Sequence, residues 1–257
     1  MSSVKRFSSW DGIEIAYHEW GEETAPAPVV LHHGFAANAQ ANWVATGVVK
    51  ALVAAGHRVI APDARGHGHS EKPHDPARYG EQRMAKDLAG LLDTIGATQV
   101  ELVGYSMGAV VALLFASDEQ RVRRLVVGGV GSGIVECGGV DRRAVSNESI
   151  IAALATDEPA SIGSTQTAAF RMLADALGAD REALVAQARS VYKDGIALDR
   201  ISAPTLILAG TDDPMAVRPE VLADAIPNAV LQTLAGNHIE ALGDPLFTQS
   251  IVDFLAT

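Results

Sequence analysis

The chain has 257 residues, 48% of them hydrophobic, which fits one large core with a small insertion better than two independent domains. A net charge of −11 argues against a nucleic-acid partner, since binding phosphates needs clustered Lys and Arg. The single cysteine, Cys137, excludes an internal disulfide framework and fits a reducing compartment.

The N-terminal stretch "MSSVKRFSSWDG" has no apolar leader, and no run approaches 18 apolar residues. The sequence therefore predicts a cytoplasmic chain with no membrane partner. Val4–Ser9 and Ile13–Trp20 read as two strands joined at Asp11-Gly12, a hairpin signal. "PVVLHH" from Pro28 is a short buried strand. Trp43 to Ala55 reads as a helix ended by Gly56, and "HRVIAPD" as the next strand. Met84, Leu88, Leu91, Leu92 and Ile95 fall on one helix face, ended by Gly96. "VELVGY" is a strand and Met107–Ser117 a helix. "RRLVVGG", "PTLILAG" and "AVLQTLAG" are strands, and Phe247–Ala256 closes the chain as a helix.

Strands separated by helical runs predict an α/β fold: a mostly parallel twisted sheet of about eight strands with helices on both faces. Gly131–Arg200 breaks the rhythm. It holds helical stretches such as Asp180–Tyr192 and no clear strand, so residues 131–200 read as a helical cap inserted between two core strands of a single domain spanning 1–257. The cap would cover the C-terminal edge of the sheet, where open α/β sheets bind ligands.

Gly104-Tyr105-Ser106-Met107-Gly108 stands between a strand and a helix. Gly-x-Ser-x-Gly in that setting describes a tight turn that exposes a serine nucleophile, its two glycines making room where side chains would collide. The helix that follows points its N-terminal N–H groups at the serine. A serine hydroxyl needs a base. Seven of the eight histidines lie at or before His74, and only His238 follows Ser106, in a loop after the last strand. "LILAGTDDP" offers Asp212 and Asp213 as the acid, and the spacing from Gly210 selects Asp213. Arg123–Gly133 contains no Asp or Glu that could serve instead. An acyl transfer also needs donors for an oxyanion. The backbone N–H of Met107 is one, and that of Phe35, after the turn at His33-Gly34, is the other. Their side chains are expected to line the acyl pocket.

"HHGF", "DARGHGHS", "GYSMG", "GTDDP" and "GNHIEALGDP" occur in an order and spacing that resembles the α/β-hydrolase fold family, over nearly the whole chain. Asn237 departs from the glycine common at that position. The resemblance implies a serine hydrolase acting on a small soluble ester, lactone or thioester, with Ser106, His238 and Asp213 as its triad and no metal or organic cofactor. It places His67-Gly68-His69, which has the look of a metal pair, in a structural turn beside the site. A serine at position 106 excludes relatives with an aspartate nucleophile, such as haloalkane dehalogenases and epoxide hydrolases. Perhydrolases, enol-lactonases, carbon–carbon bond hydrolases and slow small-ligand receptors share the motifs and stay open as alternatives. No stripe of residues marks an oligomer interface.

Overall fold

A computed structural model describes residues 4–22 and 27–256, so the ends of the predicted domain, residues 1–3 and 257, lie outside the described residues. The chain opens on β1 (Lys5–Ser8) and β2 (Glu14–Trp20), an antiparallel pair turned at Gly12, followed by β3 (Val29–His32). The helix expected over Trp43 to Ala55 is two pieces instead. A π-helical turn covers Gln40–Val44, Gly47 breaks the run at a positive φ of 85°, and α1 (Val48–Ala54) begins after it. Next come β4 (Val59–Pro62), α2 (Glu81–Thr94), β5 (Val100–Tyr105), α3 (Met107–Asp118) and β6 (Val122–Gly128).

Helices α4 (Gly133–Cys137), α5 (Asn147–Ala155), α6 (Thr165–Ala176) and α7 (Arg181–Arg189) fill the interval before β7 (Thr205–Gly210). No strand interrupts them among the described residues. Then α8 (Pro219–Ala225), which the sequence reading passed over, leads to β8 (Ala229–Leu234). Two helices end the chain: α9 (Glu240–Gly243) and α10 (Pro245–Leu255), the latter capped by Asp244. No helix among the described residues is long and apolar enough to cross a membrane.

The eight strands form one sheet in the order β1-β2-β4-β3-β5-β6-β7-β8. β2 pairs antiparallel with β1 and β4, and every pair from β4 to β8 is parallel. Period-two alternation decides which face each side chain covers. Val30, Ile60, Leu102, Leu125, Val127 and Ile207 pack under α2, α3 and α8. Their neighbours Val29, Leu31, Val103, Val126, Leu206 and Leu208 pack under α1 and α10. Both faces are therefore dry, and β5 and β7 are buried along their whole length.

The hairpin end of the sheet is tied to α2 by a buried ion cluster. Arg65, with no exposed surface, reaches Asp87 at 2.6 Å and Asp11 at 3.0 Å. Burial raises the carboxyl of Asp87 above its usual range. Burial acts the same way on Asp11, but Arg65 outweighs it and leaves that group lowered.

The loops beside β3 and β4 rest on three fully buried histidines. His33 accepts the Ala64 N–H at Nε2 (2.9 Å) and so carries its proton on Nδ1, which donates to the Gly34 carbonyl (2.8 Å). His67 accepts the Ala36 N–H at Nε2 (3.2 Å) and donates from Nδ1 to the Arg65 carbonyl (2.9 Å). Burial, reinforced by the charge of His32 on His33 and of His33 on His67, lowers His33 to about 4 and His67 to about 3, and burial lowers His32 to about 4.

Two outcomes follow. Arg65→Ala leaves Asp87 buried without its cation and should cost about 3–5 kcal/mol, read as a fall in the urea midpoint. The neutral histidines set the acid limit. At pH above about 6.5 neither folded nor unfolded chain protonates them. Below that the unfolded chain takes up protons that the folded one refuses, so stability should fall from about pH 6.5 toward 4, by about 1.4 kcal/mol per pH unit for each histidine. Urea titrations at pH 7.5 and 5 measure this, and His67→Asn should flatten the slope.

Candidate active site

Ser106 stands between β5 and α3 with φ 54° and ψ −116°, a conformation that costs an L-residue about 1–3 kcal/mol. Its surroundings over-determine it. Its N–H donates to the Gly128 carbonyl at the end of β6 (2.8 Å), and its carbonyl accepts from Ala109 (2.9 Å) and Val110 (3.2 Å) in the first turn of α3. The two flanking glycines are there for space. A Cβ on Gly104 would lie 2.2 Å from the Gly108 carbonyl oxygen, and one on Gly108 would lie 2.1 Å from that of His32. The side chain of Ser106 is buried but lines a pocket.

Of the two candidate acids, the structure brings Asp213 to His238 and leaves Asp212 exposed at the turn. Asp213 Oδ2 lies 2.7 Å from His238 Nδ1, while Oδ1 accepts the Met215 N–H (2.9 Å). The carboxylate is fully buried and the imidazole only slightly exposed. Such a bond fixes the ring as the Nδ1–H tautomer and leaves Nε2 free to take a proton.

Tyr105, which the sequence reading did not single out, holds the other side of this loop. Its hydroxyl donates to the His238 carbonyl, and its ring packs 5.1 Å from the imidazole. Burial, helped by Asp213, keeps that phenol protonated well above its usual range. Gly129, at φ 68°, leaves the imidazole its place, since a Cβ there would lie 2.8 Å from His238 Cε1. The only earlier hint of Tyr105 was its position beside the serine.

The two predicted oxyanion donors flank the serine. The Met107 N–H begins α3, where it has no intrahelical partner, and the Phe35 N–H lies in the loop after β3. Neither has an acceptor among the described residues. The orientation of the Phe35 N–H has a cause. Asn42 accepts the Gly34 N–H (3.0 Å) and His33 holds the Gly34 carbonyl. In a trans peptide the next N–H points the opposite way from that carbonyl. Gly34 itself lies against Ser106, since a Cβ there would be 3.4 Å from the serine's.

The side chains of Phe35 and Met107 line the pocket as expected, together with Phe170, whose ring packs 5.9 Å from that of Phe35. Helices α5, α6 and α7 and the segment before α5 supply most of the remaining wall. The cavity is small, about 70 Å³.

His67 and His69 do not form a metal pair, because both ring nitrogens of His67 are engaged by the backbone. His69 instead joins His18 and Asp63, whose donor atoms lie within 4.8 Å of one another and could hold a cation. Asp63 is already occupied in holding its turn. Its Oδ1 accepts the Ala39 N–H (2.9 Å) and its Oδ2 the His69 N–H (2.8 Å).

A family model described as the alpha/beta hydrolase fold matches residues 27–132. The chain is 40% identical over 108 residues to epoxide hydrolase A of Mycobacterium tuberculosis, covering 42% of this chain and 32% of that one. It spans about a third to a half of the length of several such curated relatives. A longer match, 31% identical over 229 residues, joins it to the "Putative carbamate hydrolase RutD" of Variovorax paradoxus and covers 80% of this chain and 84% of that protein. Among solved structures, a hydrolase from Pseudomonas aeruginosa PA01 superposes with a TM-score of 0.78 at 26% identity, covering 99% of both chains. With Ser106 at its turn, Asp213 on His238 and a relative matched over most of both lengths, the chain belongs to the alpha/beta hydrolase fold family.

Proposed function

We propose that the protein is a serine hydrolase that cleaves a small carboxylic ester, lactone or thioester through an acyl-enzyme. The observation that carries this reading is the Asp213–His238 bond of 2.7 Å; a serine in a strained turn and two unclaimed backbone N–H groups support it. Ser106 Oγ attacks the carbonyl carbon and its proton passes to His238 Nε2. The N–H groups of Phe35 and Met107 take the charge that develops on the carbonyl oxygen. Collapse of the tetrahedral adduct breaks the bond to the leaving alcohol, which receives the proton from His238. A water that gives its proton to His238 then cleaves the acyl-enzyme, and Ser106 recovers its own. Asp213 keeps the imidazole in the tautomer this cycle needs.

The helical segment between β6 and β7 acts as a cap that sets which acyl group fits. Its small pocket, about 70 Å³, suits a short acyl chain. Position 106 is a serine, which supports an acyl-enzyme over the alkyl-enzyme that an aspartate nucleophile would form. No cofactor enters this reading.

Nitrophenyl acetate, butyrate and octanoate test it. Butyrate should turn over at least tenfold faster than octanoate, and Ser106→Ala should lose about 10⁴-fold or more in kcat. Equal rates for parent and mutant would remove the serine from the chemistry. The acid assignment is separable. Asp213→Asn should lower kcat by about 10⁴-fold, while Asp212→Asn stays within about threefold. The reverse order would move the acid to Asp212.

A further inference from the structure

We infer that the pocket beside Ser106 is built for an acyl group that carries a hydroxyl, held between the side chains of Gln187 and Glu81. This rests on the ester-hydrolase reading and adds a substrate class to it. Gln187, on α7, has no exposed surface and lines the pocket together with Ser106 and Met107. Its Oε1 accepts the Gly80 N–H at 3.3 Å. Its Nε2 meets only the Met107 sulfur among the described residues, at 3.9 Å, and a thioether is a weak acceptor. A fully buried amide donor is thus aimed at the cavity with no good partner.

Glu81, in the first turn of α2, is buried on the same wall. Its Oε2 accepts the Tyr192 N–H at 2.6 Å. A carboxylate has about four acceptor sites, so capacity is left toward the cavity.

The charge balance of the wall selects the kind of group. Arg142 lines the pocket as well and is anchored on the Tyr192 carbonyl; burial raises the Glu81 carboxyl above its usual range, and the charge of Arg142 offsets part of that. Asp141 is taken up by Arg143 at 2.6 Å. One wall cation answers one wall anion, so neither a carboxylate nor an ammonium on the substrate meets an unbalanced charge. A neutral group is favoured, and it must both accept from Gln187 and donate to Glu81. A ketone or ester oxygen only accepts. A hydroxyl does both. The rest of the lining, such as Val140, Val145, Ile150 and Val191, is apolar and suits the carbon chain that bears it.

The test compares methyl butyrate with methyl 2-hydroxybutyrate and methyl 3-hydroxybutyrate, each rate divided by that ester's alkaline hydrolysis rate. At least one hydroxy ester should exceed butyrate tenfold or more in corrected kcat/KM, because a site with buried polar groups penalises the analogue that leaves them unpaired. Gln187→Met and Glu81→Gln should each bring that ratio down toward one. The comparison on the unmodified chain stands even if a variant fails to fold. Butyrate turned over as well as both hydroxy esters would overturn the hydroxyl assignment alone. A preference that survives in both variants would overturn the roles of Gln187 and Glu81. If no ester of any kind turned over, the ester-hydrolase reading would fall and this inference with it.

Discussion

One turn of backbone sets the requirements for everything around it. Ser106 is held at φ 54°, and the conformation persists because neighbouring parts leave it no alternative. α3 can start there only if it approaches β3 within contact of the His32 carbonyl, so position 108 must be glycine. β5 can deliver the turn only from the middle of the sheet, between β3 and β6. That central place brings the loop after β3, with Phe35, and the end of β6, with Gly128 and Gly129, to either side of the serine. Asp213 follows β7 by the same logic, at the C-terminal edge of a parallel sheet.

The fold was legible because its signals are local. The short apolar runs of β3, β5 and β7 and the α2 face of Met84, Leu88 and Leu91 need only neighbours in sequence to be read. The expected helix over Trp43 to Ala55 went wrong at Gly47, whose positive φ divides two turns that hydrophobic spacing alone runs together. The short α8 was missed because its 7 residues are too few for a helical period to register.

The strained turn at Ser106 and the pairing of Asp213 with His238 were legible for another reason. Chain order limits the base to the one histidine after Ser106, and a spacing from Gly210 separates two adjacent aspartates. Tyr105, Gln187 and Glu81 were not legible. Gln187 and Glu81 meet only because of the surfaces α2 and α7 turn toward one another, and Tyr105 meets His238 only because the loop after β8 folds back onto β5; nothing in the separate segments records either. The histidines were half read. The spacing of His67 and His69 alone has the look of a metal pair, whereas His33 and His67 serve as neutral hydrogen-bond partners for loop backbone.

The place of β7 and β8 bears on how the chain is completed during synthesis. β6 and β7 are neighbours in the sheet, yet all four helices from α4 to α7 lie between them in the chain. Until those helices have been made, the outer edge of β6 is a bare parallel strand of Leu125, Val126 and Val127, a template for joining other chains. Arg123, exposed, and Arg124, half-buried, stand at its leading end, where like charges oppose stacking on a second copy. Closing the longer interval adds little entropic cost, since each doubling of a loop adds only about 0.6 kcal/mol. The same docking event covers that edge and brings in Asp213, and β8 follows with His238 beyond it. A nascent chain therefore assembles its aspartate–histidine pair only as its sticky edge disappears.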